Sequence, residues 1–230
     1  MSKTESPVNH KALLISRAIS SVINVSISAG ILFLSAGRAD WLFAWLYLFS
    51  YLVFQYVSLR VSFRHIQQKT IPQKQSTLNR VLEIGYSLTH PLTLILAGFE
   101  FNLTQNPVAL GLTIQSSAFV VLLLVFGLMI WAQWENPYYH SQNPTFEEGQ
   151  KVVKTGPYQF IRHPGYAGLF MLALIRPLLL GSRLGITTGL AGAAIILLRT
   201  FLEDRTLQKD SARYKQYALK VRHRIFSGIW

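Results

Sequence analysis

The chain has 230 residues, half of them hydrophobic and only 14% charged, with a net charge of +12 and no cysteine. Average soluble domains carry about 25% charged residues, so this composition points to a membrane protein. The absence of thiols excludes disulfides, cysteine nucleophiles and cysteine-ligated metals, and no other metal-ligand set stands out.

Taken in chain order, the apolar stretches are residues 13–36, 41–59, 86–103, 109–134 and 166–199, the last broken near 181–183. A membrane span needs about 20 mainly apolar residues, so the first four qualify and the fifth is long enough for a hairpin of two short helices. The expectation is an all-α polytopic membrane helix bundle with four long spans plus a C-terminal helical hairpin, five to six membrane segments in all. Connections are short, so the chain forms one integrated domain: residues 1–130 supply N-terminal transmembrane helices, and residues 131–230 a loop, the hairpin and a tail.

The positive charge suggests nucleic acid until its placement is read. Lys3, Lys11, Arg60, Arg64, Lys69, Lys74, Arg80, Lys151, Lys154 and Arg162 fall in alternate connections, and the tail adds Arg205, Lys209, Arg213, Lys215, Lys220, Arg222 and Arg224. The intervening connections carry only Arg38 and Arg183. This is the positive-inside asymmetry, which predicts cytoplasmic N- and C-termini and makes membrane lipids, not nucleic acid, the partner of the basic face. The expected membrane is an inner membrane or the endoplasmic reticulum. Arg17 interrupts the first apolar run early, so that run reads as a retained anchor.

Within the first half, Trp41, Trp45 and Tyr47 read as an interfacial aromatic belt. Pro91, after His90, should kink the third segment. Glu100 lies close enough to that segment's end to reach the interface.

The second half contains the polar run "ENPYYHSQNPTFEEGQKVVKTGPYQFIRHP", about thirty residues where most connections have about 4–6. Gly156-Pro157 is turn chemistry. His163-Pro164 reads as a helix start with proline at the first helical position, where its missing N–H costs nothing. His163 and Tyr166, three apart, then share a helix face, with Phe170 a turn further on. Gly165 and Gly168 leave space beside that face, either for close helix packing or for a ligand against the backbone.

Arg199 and Glu203, four apart, point the same way at the end of the last apolar segment, and Asp204 and Arg205 follow on adjacent faces. Interfacial ions would suffice to explain them. Across a short hairpin from His163 and Tyr166, however, a cation, an acid, an imidazole and a phenol would line one site. In the tail, Tyr214, Tyr217 and Val221 recur at helical spacing among Arg and Lys, the pattern of an interfacial helix on an anionic leaflet.

The run "GQKVVKTGPYQFIRHPGYAG", with "LRTFLEDRTL" about thirty residues later and then "YKQYALKVRHRI", resembles the isoprenylcysteine carboxyl methyltransferases and, more loosely, membrane methyltransferases of phospholipids. The resemblance covers roughly residues 131–223. It implies S-adenosylmethionine-dependent methyl transfer to a lipophilic acceptor, a small molecule or a lipidated peptide, with the carboxylate of a prenylated cysteine as the family's namesake substrate. On the family's pattern, Gln150, Lys151, Val152, Val153 and Tyr158 would line the cofactor, and His163, Pro164, Gly165 and Tyr166 would complete that wall. Glu203 would hold the cofactor's amino group, and Arg199 would be the catalytic residue facing the acceptor. Asn136 matches the asparagine after the tryptophan-bearing span. The chain departs from the pattern in its Glu-Asp pair, where Glu-Glu is usual, and in "NPTFEEG", which replaces a more basic stretch beside Gln142 and Asn143.

Two other readings remain open from the residues. A sterol-type membrane reductase using NADPH has a similar C-terminal pattern but usually more spans, and asparagine where His163 stands. A small transporter should show repeated halves and mid-membrane polar groups.

Overall fold

The computed structural model describes residues 10–63, 77–106, 109–139 and 151–228, with backbone alone for residues 10–13. The described residues form seven α-helices and one short 3-10 turn: α1 (His10–Ala36), α2 (Leu42–Phe63), α3 (Thr77–Thr104), α4 (Leu112–Glu135), the turn Gly156–Gln159, α5 (Pro164–Leu179), α6 (Arg183–Asp210) and α7 (Ala212–Lys220). The chain is an all-helical polytopic bundle.

Four helices, α1, α2, α4 and α6, are long and apolar enough to cross a membrane. The 28 residues of α3 match the length of α6, but Arg80, Glu83, His90 and Glu100 lower its apolarity. It runs through Pro91 and packs on α1 and α6. The expected hairpin is unequal. α5 has 16 residues, about 24 Å, whereas α6 has 28, about 42 Å. The break between them is a turn around Gly181, whose φ of 67° favours glycine. Its neighbour Ser182 caps α6 by accepting from the Gly185 N–H at 2.8 Å.

The core follows from the helices' apolar seams. Leu32, Leu94, Leu122 and Leu179 are each fully buried where α1, α3, α4 and α5 meet, while the lipid-facing sides carry exposed Leu34, Phe49, Leu124 and Leu198. The N-terminal and C-terminal halves interleave, since α3 packs on α6, and α4 on α5.

At one end of the bundle, Trp41 stacks on Phe101 with ring centroids 4.3 Å apart, and Glu100 Oε2 accepts from Ser182 Oγ (2.8 Å) and the Leu184 N–H (2.9 Å). Glu100 thus completes the start of α6, where unpaired amides favour an acid. The aromatic belt expected here is only partly formed. Trp41 and Tyr47 are 1% and 0% exposed and face the protein; Trp45, at 53%, faces outward. Aromatic residues near a helix start serve equally well as core or as membrane anchors, and tertiary packing decides between them.

Candidate functional site

The opposite end of the bundle gathers the polar chemistry. The chain leaves α4 at Asn136, whose Nδ2 donates to Tyr158 Oη at 3.0 Å. Thr155 Oγ1 donates to Glu135 Oε2 at 2.5 Å. Gly156 between these contacts has φ 57°, and a Cβ there would fall 2.4 Å from Glu135 Cγ, so only glycine fits. Tyr158 is buried beneath Tyr217, whose hydroxyl donates to the Tyr158 carbonyl at 2.5 Å. Burial pushes both phenols upward in pKa, so they remain neutral donors at physiological pH.

Pro164 opens α5 as its first residue, with His163 immediately before it. Gly165 and Gly168 resolve toward packing. A Cβ on Gly165 would meet the Tyr139 ring at 2.8 Å, and one on Gly168 would meet Met129 Cγ at 2.3 Å. The α5 backbone therefore lies close against α4 and the segment following it.

Arg162 and His163 enter a buried knot centred on Asp204, which is 0% exposed. Arg162 grips both carboxylate oxygens, Nε and Nη2 each at 2.8 Å. Asp204 Oδ1 also accepts from Tyr214 Oη at 3.0 Å and lies 3.2 Å from His163 Nε2. Its Oδ2 accepts from Arg224 Nε at 2.9 Å and Gln208 Nε2 at 2.7 Å. The remaining Arg162 nitrogen, Nη1, donates to the carbonyls of Val221 (2.8 Å) and Arg222 (2.9 Å).

The backbone joins in, with the N–H groups of Arg162 and His163 donating to the carbonyls of His223 and Arg224 at 2.9 and 2.8 Å. The tail is thereby stitched to the start of α5. Its aromatic face turns inward: Tyr214 and Tyr217 are 4% and 3% exposed and pack with Val152 and Leu207. Burial, reinforced by the Asp204 charge, pushes the Tyr214 phenol well up. The expectation of a tail lying on lipid with these aromatics is replaced by a tail docked on its own protein. Helical spacing of apolar residues cannot tell one apolar surface from the other.

One residue earlier on α6, Glu203 lies outside that knot. Its Oε2 accepts from Tyr166 Oη at 2.5 Å, and both residues are half-buried. Arg199 stands over the Tyr166 ring at 5.6 Å, and the His163 ring is 5.7 Å from it. Arg199 Nη2 is 3.9 Å from Glu83 Oε2, too long for a hydrogen bond. The start of α5 and the end of α6 therefore bring Tyr166, Glu203, Arg199 and His163 together.

Among the other candidate residues, Lys151 is exposed, Val152 and Val153 are half-buried, and Pro164 is buried. Gln150, Gln142 and Asn143 lie outside the described residues. Sequence reading missed the partners of Asp204, namely Arg162, Tyr214 and Arg224. A signal was present in Arg162, a charge placed two residues before a helix start.

The residues suit an amphoteric cofactor. A carboxylate offers about four acceptor sites. Asp204 spends its own inside the protein, whereas Glu203 shows a single phenol contact and partial exposure. Glu203 is thus an acid with capacity to receive an ammonium group beside an aromatic wall.

Residues 117–210 match the family model of isoprenylcysteine carboxyl methyltransferase (ICMT). That stretch includes most of α4, the Gly156–Gln159 turn, α5 and α6; the docked tail lies beyond it. No curated protein matches the chain. The region that carries the Tyr166–Glu203–Arg199 cluster is therefore isoprenylcysteine carboxyl methyltransferase-like, set in an integral-membrane helical bundle.

Proposed function

We propose that the protein is an S-adenosylmethionine-dependent methyltransferase of a lipophilic acceptor, acting at the cytoplasmic end of the bundle. The observation that carries this reading is the convergence of Tyr166, Glu203 and Arg199 from two helix ends within the family-matching stretch. The family match favours methyl transfer over nicotinamide-dependent reduction or transport. The positive-inside charge pattern supports cytoplasmic termini, on the same face as the site.

When bound, S-adenosylmethionine supplies the activated methyl group. Glu203 pairs its ammonium, and the Tyr166 ring gives an apolar wall. On the family's pattern, Lys151, Val152, Val153, Tyr158, His163, Pro164 and Gly165 would form the surrounding wall, with Gln150 preceding them in the chain; Gly165 would contribute where its backbone packs beside Tyr139. The hydrogen bond from Tyr166 fixes the Glu203 carboxylate in place before any ligand arrives.

Arg199 is the acceptor's partner. A guanidinium fork matches a carboxylate in bidentate fashion, and a carboxylate such as that of a prenylated cysteine is the acceptor this favours. An ionised carboxylate needs no general base to attack a methyl group. Catalysis is then mainly positioning, which can contribute about 7–11 kcal/mol of the barrier. Methylation removes the acceptor's charge, weakening its attraction to Arg199 and favouring release of the ester.

Calorimetric titration of the purified protein with S-adenosylmethionine and, separately, NADPH tests the reading. Heat is expected with the first alone; none with the first overturns it. Glu203→Ala should weaken cofactor binding more than tenfold. Arg199→Ala should spare binding and abolish transfer of tritiated methyl groups to membrane extract. Indistinguishable behaviour of the two variants would refute the division of roles.

A further inference from the structure

One buried cation takes no part in the chemistry above. Arg176 lies on α5 ten residues beyond Tyr166, about 15 Å along the helix. It is 5% exposed, and its Nε is buried with no hydrogen-bond partner among the described residues. None of the ion pairs among the described residues includes it. A charged side chain within a membrane is costly and ordinarily pairs with another ion or lines a polar cavity.

Among the described residues, the groups shown against Arg176 carry no negative charge. Its guanidinium is 6.0 Å from the ring centroid of the fully buried Tyr47. Next to that ring, Tyr51 stacks on Tyr47 with centroids 5.9 Å apart, and the His90 ring lies 6.4 Å from Tyr47 and 5.8 Å from Tyr51. His90 Nε2 is 3.1 Å from Ser28 Oγ, and its Nδ1 is 3.4 Å from Tyr47 Oη. Four helices, α1, α2, α3 and α5, contribute to this cluster.

A polar path joins it to the bilayer. Tyr51 Oη donates to Asn24 Oδ1 at 3.0 Å, and Gln55 Nε2 donates to Tyr51 Oη at 3.4 Å. Asn24 is exposed on α1, and Tyr51 and Gln55 are half-buried on α2. The Tyr51–Asn24 bond ties α2 to α1 and leaves polar groups at a lipid-facing seam. They would ease a headgroup sideways from the hydrocarbon toward the cation.

The phenols and the imidazole are engaged with one another and with Ser28 and Asn24, so the guanidinium, buried without a counter-ion among the described residues, is the group left to receive an oxyanion. We propose that Arg176, beside the Tyr47 ring, binds the anionic headgroup of a lipophilic acid that enters between α1 and α2. A carboxylate and a phosphate monoester share the geometry that a guanidinium fork recognises. The site is separate from the Tyr166–Glu203–Arg199 cluster and does not depend on methyl transfer.

The test is equilibrium binding to purified protein in nonionic detergent, using radiolabelled dodecanoate, dodecyl phosphate and methyl dodecanoate. At least one anion should bind about tenfold tighter than the ester, and the tighter of the two identifies the headgroup. In an Arg199→Ala background, which removes the other guanidinium proposed to meet a carboxylate, Arg176→Met should bring acid and ester within about twofold of each other while leaving the melting temperature equal or higher, because an unpaired buried charge has gone. Arg176→Lys, which keeps the charge without the fork, should retain part of the preference and covers the case in which the methionine variant does not fold. Equal binding of acids and ester by the unaltered protein overturns the proposal. So does a full preference surviving in Arg176→Met in that background.

Discussion

Glu203 and Asp204 are consecutive on α6, about 100° apart around the helix, and that rotation separates their roles. Asp204 points inward to two guanidiniums, an imidazole, a phenol and an amide. Glu203 points along the face of Arg199 and Tyr166, half-buried, with one phenol as its partner. The first carboxylate is consumed in joining the tail to the start of α5. The second retains acceptor capacity. In an apolar bundle, a site can be rigid because the residue beside its partly exposed acid holds the backbone still.

The largest expected effect falls on the inner acid. Asp204→Asn keeps the shape but removes the charge that neutralises Arg162 and Arg224. Removing one partner of a buried ion pair costs about 3–5 kcal/mol, because the other charge remains buried. Thermal unfolding in detergent should show a large destabilisation, and limited proteolysis should release the segment after α6. If the variant melted with the unaltered protein and kept its tail protected, the knot would not be the clasp inferred here.

Tyr214→Phe probes the same knot more gently. It removes one donor from a carboxylate that keeps several others. A single hydrogen bond contributes about 0.5–1.5 kcal/mol net, so a loss near the middle of that range is expected. The cofactor affinity should change less than the stability, since the Tyr214 hydroxyl meets Asp204 Oδ1 (3.0 Å) and His163 Nε2 (3.1 Å) inside the knot. A drop in affinity larger than the drop in stability would merge the two clusters into one functional unit.

The contrast between these acids was only half legible in the sequence. Local rules placed Pro164 at the first position of α5, the turn at Gly181, and Arg199 four residues from Glu203 on one helix face. Each depends on backbone geometry within a few residues, which sequence records directly. The partners of Asp204 come from positions 162, 214 and 224, and nothing local says that the chain returns to the start of α5. Tyr214 and Tyr217 show the same ambiguity from another side. Their spacing specifies an apolar face, while the choice between lipid and protein rests on the backbone pairing of residues 162–163 with 223–224. Arg176 was invisible for a different reason, because one cation in a long apolar run still reads as a span. Its burial among phenols emerges only when four helices assemble.

Tyr166→Phe gives the smallest change and the sharpest discrimination. It deletes the hydroxyl that donates to Glu203 at 2.5 Å but keeps the ring beneath Arg199 and beside His163. The pair is half-buried, so loss of the bond should lower stability by less than about 1 kcal/mol. If the hydroxyl's role is to hold the carboxylate ready for an ammonium group, the lost order must instead appear in binding. A three- to fivefold weaker cofactor affinity is expected, about 0.6–1 kcal/mol on a scale where tenfold is 1.4. Tyr214→Phe should do the reverse, moving the melting temperature and sparing affinity. Two phenol deletions next to consecutive acids would then separate binding from stability. If both variants shifted the same observable, the rotation between Glu203 and Asp204 would not divide their roles.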